Sequence, residues 1–154
     1  MACRIGSASL NGMLCVEPAR DAVRDVLERL KQRAGFESVT LVTGVDRDEA
    51  VPRFEVIHQL RSLAHSDRVR VRTRLEENDA RIATCVDLWS GAGFMERECY
   101  DMFGIVFEGH ENLRRLLMPE EYGHHPLRKD FPHQGIEPDR LYREWDRKRR
   151  EAEE

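Results

Sequence analysis

The chain has 154 residues, 40% of them hydrophobic and 35% charged, and a formal net charge of −4. That length suits one domain of about 100–150 residues, which needs no metal or disulfide to hold a core; the negative balance argues against a general nucleic-acid binder. The four cysteines, Cys3, Cys15, Cys85 and Cys99, form no CxxC pair and match no zinc or iron–sulfur spacing, and with no export signal or long apolar span they suggest a reducing cytosol.

Residues 1–17 carry no firm period, although Leu14 and Val16 could open a short strand. From Pro18 the apolar residues Ala19, Ala22, Val23, Val26, Leu27, Leu30 and Ala34 recur at helical spacing, and Gly35 suits the end of that helix. Three alternating runs follow, at 38–45, 54–63 and 68–75, and a fourth at Ile82, Thr84, Val86 and Leu88. One helix followed by a largely antiparallel four-stranded sheet, with helices on one face, is an α+β fold. In the third run Arg68, Arg70, Arg72 and Arg74 share the outer face. They read as a solvated face paired with acidic neighbours, because an RNA-binding sheet needs aromatics there and 68–75 has none.

Ser90 is a candidate N-cap for a second helix, with Met95, Cys99, Met102 and Phe103 on one face and Gly104 placed to end it. On its other face Arg97 and Asp101 are four apart and can pair. Leu113 to Met118 reads as a short strand, 120–125 as a polar loop and 126–132 as an extended segment between prolines. The sequence thus divides into an N-terminal segment (1–17), an α+β core (18–95), a mixed-charge segment (96–132) and a C-terminal arm (133–154). In the arm Asp139 can cap a short helix carrying Tyr142 and Trp145, the bare aromatics of an anchor. The remaining tail reads two ways, as a frayed solvated end or as an arm that orders on a neighbour.

Chemistry is scarce. His124 and His125 are adjacent and diverge, and Glu96 and Glu98 point to different sides of a helix. No nucleophile elbow, GxGxxG or P-loop occurs. In 96–132, by contrast, charges of both signs sit beside large apolar side chains, the pattern of a surface covered by another protein.

That segment, ERECYDMFGIVFEGHENLRRLLMPEEYGHHPLRKDFP, closely resembles the signature of the thirty-kilodalton subunit family of respiratory NADH dehydrogenase. The form ERExxDxxGIxFxGHxxLRRxLxP is matched by Glu96, Arg97, Glu98, Asp101, Gly104, Ile105, Phe107, Gly109, His110, Leu113, Arg114, Arg115, Leu117 and Pro119. The form HPLRKD is matched by His125, Pro126, Leu127, Arg128, Lys129 and Asp130. Glu111 and Phe131 depart from the usual proline and tyrosine.

The resemblance implies a non-catalytic structural subunit in the peripheral arm of a proton-translocating NADH–quinone oxidoreductase. It implies no cofactor in this chain, the FMN, iron–sulfur clusters, NADH and quinone belonging to other subunits. The implied partners are the hydrogenase-like large subunit that forms the quinone pocket and the small cluster-bearing subunit. The implied location is the cytoplasmic face of the bacterial inner membrane, reached only through the complex, with no nucleic acid bound. Similar domains in membrane-bound hydrogenase or formate hydrogenlyase-like complexes are a second reading, and an independent RNA-binding domain a distant third.

Overall fold

Alternation in three runs builds the centre of the molecule. The computed structural model describes residues 4–6, 13–133, 135 and 138–153, with 4–6, 138–142, 152 and 153 described by backbone alone. The strands β3 (Ser38–Asp46), β4 (Phe54–Arg61) and β5 (Arg68–Leu75) pair antiparallel, Gly44 opposite Val56 and Val56 opposite Thr73. Their inward residues Val42, Val56, Leu60, Val69 and Val71 are buried in one cluster.

Two more strands complete this sheet among the described residues, β1 (Arg4–Gly6) and β2 (Leu14–Glu17), in the order β1-β2-β5-β4-β3. β2 runs parallel to β5. The α+β class therefore holds with a sheet of five strands, and the place beside β5 goes to β2 instead of the alternating run at 82–88. That run forms only β6 (Arg81–Ala83), which pairs in parallel with β7 (Val106–Glu108) in a separate two-stranded sheet. Its alternation stops because the Cys85 carbonyl accepts from the amides of Leu88 (3.0 Å) and Trp89 (2.9 Å), closing a turn.

Helix α1 (Val23–Gln32), entered through a 3-10 turn at Arg20–Ala22, buries Val23 and Leu27 against the sheet. Its wet side is tied down as well: Arg24 bonds Asp87 at 2.8 Å, and Lys31 donates to the Leu88 carbonyl. Helix α2 (Ala92–Phe103) packs on the same face through Cys99, Met102 and Phe103. A Cβ on Gly44 would lie 2.7 Å from the Phe103 ring, so a glycine in β3 sets how closely α2 approaches. The helix ends at Gly104, left-handed at φ 78°. No side chain caps its start, so Ser90 is not an N-cap; the Ser90 carbonyl accepts from the Gly93 amide at 3.3 Å instead.

Residues on both sides of position 95 share the core, since Ile105 and Phe107 pack in the same cluster as Val56. The division at 95/96 is thus not a division of the core. Helix α3 (Pro138–Glu153) is longer than the short helix expected. Its charged half is held by local pairs, Arg149–Asp146 at 3.1 Å and Arg150–Asp146 at 2.9 Å.

His58 lies at the middle of β4, between Val42 and Val71 on its neighbours, fully buried and with both ring nitrogens unpartnered. Burial pushes its pKa down to about 4. Because the folded value is lowered, its contribution to stability is complete above the unfolded value of about 6.5 and is lost as pH falls toward the folded one. Going from pH 7 to pH 5 should therefore cost about 2 kcal/mol through this group. Urea unfolding at the two pH values should show that loss in the native chain and little of it in His58→Leu.

Candidate protein interface

After Gly104 the chain is mostly irregular, so its backbone N–H groups have few ladder partners and must be satisfied otherwise. Charges on α2 do this. Asp101 is fully buried, and its Oδ2 accepts from the amides of Leu116 (3.0 Å), Leu117 (2.6 Å) and Met118 (2.9 Å). Its Oδ1 accepts from Arg115 Nη1 at 2.7 Å. Burial alone would raise the carboxyl's pKa; the three amides and Arg115 outweigh it and hold the group below the usual range. Arg97 donates to the carbonyls of Arg114 (3.2 Å) and Arg115 (3.0 Å), so the expected Arg97–Asp101 pair does not form. The 113–118 stretch is consequently strung along α2 and is not the strand its composition suggests.

Glu96 turns inward, fully buried, and accepts from the Cys85 amide at 2.8 Å and from the Thr84 hydroxyl. A third tie starts outside the signature. Asp46, at the end of β3, takes a bidentate pair from Arg53 (2.9 and 2.8 Å) and the Lys129 amide at 2.8 Å. The Arg53 guanidinium holds the Asp46 carboxyl well below the usual carboxylate range. Arg53 also reaches Asp130 at 3.1 Å. Arg128 donates to the Phe103 carbonyl at 2.7 Å, and the guanidiniums of Arg53 and Arg128 each lie 5.1 Å from the buried Phe54 ring. Neither Asp46 nor Arg53 was singled out by sequence reasoning, and no local motif marks either.

The histidines are fixed by similar bonds. His125 Nδ1 donates to the Asp101 carbonyl at 2.9 Å, which places the proton on that nitrogen. Burial, with Arg128 and Arg115 nearby, lowers its pKa against the pull of that carbonyl. His110 accepts from the Asn112 amide through Nδ1 (3.1 Å), so Nε2 donates to the Gly93 carbonyl (3.2 Å). Among the described residues no three His, Cys, Asp or Glu side chains converge as metal ligands. Burial pushes the Cys99 thiol up to about 12 and raises that of Cys85 as well.

The signature therefore sorts into two sets. Glu96, Asp101 and Phe107 are buried, Leu113 packs against the core, and Gly104 closes on the side chains of His125 and Arg128. These residues, with Arg97, Arg115 and Arg128, are bonded or packed inside the chain, a division between internal and outward charges that the sequence alone left open. Gly109 follows β7 with φ 85°. Facing outward are Phe94, just ahead of the signature on α2, and Leu117 and Leu127 within it, exposed by 66%, 63% and 53%, together with Glu98, Arg114 and Lys129. Those last three make no ion pair among the described residues. Pro126, Leu127, Arg128, Lys129, Phe131 and His133 surround an open hollow of about 570 Å³. In the C-terminal arm, Trp145 borders a small hollow with Pro119 and Tyr122 under the Arg149 guanidinium, while the Tyr142 side chain lies outside the described residues.

Replacing Asp101 by Asn keeps its size and removes the charge that binds four donors. The change should cost about 3 kcal/mol in urea unfolding and speed amide exchange at Leu116, Leu117 and Met118. In the native chain the Asp101 contribution is complete above the ordinary carboxylate range and lost as pH falls through the lowered folded value.

The family model for the respiratory-chain NADH dehydrogenase 30 Kd subunit matches residues 16–137. The NADH-quinone oxidoreductase C subunit of Citrifermentans bemidjiense is 43% identical over 129 residues, covering 84% of this chain and 79% of that protein. The C/D 2 subunit of the same enzyme in Aquifex aeolicus is 46% identical over 120 residues, 78% of this chain but 20% of that longer protein. A solved structure of Nqo5, its trypsin-resistant fragment, is similar at a TM-score of 0.66 and 36% identity over 72% of this chain and 89% of that one. The chain belongs to the 30 Kd subunit family of respiratory-chain NADH dehydrogenase.

Proposed function

We propose that this chain is a non-catalytic structural subunit in the peripheral arm of a proton-translocating NADH–quinone oxidoreductase, where it holds the module that passes electrons to quinone. The observation that carries the reading is the sorting of the signature. Its buried charges brace an irregular segment from within, and α2 and that segment then present Phe94, Leu117 and Leu127 together with Glu98, Arg114 and Lys129. Exposed apolar anchors accompanied by unpaired charges are the makings of a specific protein interface. The partners proposed are the hydrogenase-like large subunit and the small cluster-bearing subunit, and the double letter C/D in the name of the Aquifex aeolicus relative supports a sister subunit held directly against this one. No described helix is long and apolar enough to cross a membrane, so attachment to the cytoplasmic face is proposed to run through the complex.

Arg115 and Arg128 brace the fold, so replacing either by Ala should lower the stability of the isolated chain as well as assembly. The outward set separates the two effects. Leu127→Asp and Lys129→Glu should leave unfolding of the isolated chain nearly unchanged and reduce the partner proteins recovered with it from a mild detergent extract about tenfold. Normal assembly of both variants would refute the docking role of this face.

A further inference from the structure

The other face of the sheet carries a second, separate asymmetry. The helices cover only the inward side, and the outward side of β3, β4 and β5 is bare of helices among the described residues. Four arginines alternate along that side of β5. At one end they are neutralised: Arg72 pairs with Glu17, and Arg74 lies 3.4 Å from Glu55, which also takes Arg47 at 2.9 Å. At the other end they are not. Arg61 of β4 stands directly opposite Arg68, and Arg70 is next along, opposite Gln59.

None of Arg61, Arg68 and Arg70 makes an ion pair among the described residues, and the Arg70 Nε is buried without a hydrogen bond. Like charges directly opposite on neighbouring strands weaken a sheet. Beside them lie Leu41, 41% exposed and opposite Gln59, and the half-buried Ile57.

We propose that this end of the open sheet face docks an acidic amphipathic segment of a neighbouring protein, its carboxylates on Arg61, Arg68 and Arg70 and its apolar side on Leu41 and Ile57. Charge complementarity argues for that occupant, since an anionic partner is what removes the Arg61–Arg68 conflict and supplies bidentate acceptors to guanidinium forks. A single-stranded nucleic acid is disfavoured because the face offers no aromatic ring to a base. The site lies across the sheet from α2, and thus apart from the signature, so the chain would be gripped from two sides.

Two measurements on the full chain test this. Arg68→Glu turns a repulsive pair into an attractive one, so it should raise the Tm of the isolated chain by about 2 °C while weakening the docked segment. In the assembled complex, a photo-reactive residue at position 41 should crosslink to a peptide rich in Asp and Glu. Reversing both Arg68 and Arg70 to Glu should reduce that product at least tenfold and leave a crosslink from position 127 intact. A product with lipid or nucleic acid, no product, or one indifferent to the reversal would overturn the proposal. If position 41 gave the acidic peptide while position 127 gave nothing, this docking site would stand and the signature reading would fall.

Discussion

The structure depends on how an irregular polypeptide segment, pressed against a core, finds acceptors for its backbone N–H groups. A helix or strand supplies them from its own ladder; the stretch from Gly104 to Pro132 has a ladder only at β7. An amide left buried without an acceptor costs about 1–3 kcal/mol, and several in a row would prevent the segment from seating. Asp101 meets this by accepting three consecutive amides on one oxygen and Arg115 on the other. Asp46 does the same for Lys129, and Glu96 for Cys85 in the adjoining turn. A carboxylate suits the task better than a neutral amide, having acceptor sites only and forming stronger charge-assisted bonds.

That solution produces an inversion. Glu96 and Asp101 on α2 point inward, where their charge is used, and the large apolar side chains of Leu117 and Leu127 in the braced segment are left outward. Buried ionic groups are weak stabilisers compared with apolar replacements, so their value here lies in geometry: they dictate one path for a chain that periodicity does not guide. Arg115 and Arg128 belong to the same device. Each holds a loop to a backbone carbonyl or to Asp101, and each thereby shapes the surface that a partner of the family would meet.

Much of the frame was legible because it follows from local spacing. The 3.6-residue stripe on α1, the alternation of β3, β4 and β5, and the glycine at the end of α2 each act within a few residues. What was not legible acts over distance. The parallel pairing of β2 with β5 joins positions more than fifty residues apart, and the alternating apolar run at 82–88 suggested a fourth strand that the turn at Cys85 breaks off. The Asp46–Arg53 tie to Lys129 and Asp130 leaves no trace in either neighbourhood, for an acidic residue ending a strand resembles any turn residue. Within the signature the charges were visible but their direction was not, since helix spacing shows which residues share a face without saying which face is covered.

Outside the signature, the matching of charges separates the parts of the surface that are finished from those that are not. Several arginines near the surface find a counter-charge within the chain, at Glu17, Glu55 and Asp87. Two groups among the charges left without one stand out for their neighbours: Glu98, Arg114 and Lys129 in the signature, and Arg61, Arg68 and Arg70 on the outward side of the sheet. Local rules of pairing and polarity are broken in folded proteins mainly where another demand overrides them. Each group of unmatched charges here lies beside exposed apolar side chains, Phe94, Leu117 and Leu127 in the first case and Leu41 in the second. Solvation alone would account for the charges, and it would leave the apolar neighbours without a reason; contact with another surface accounts for both.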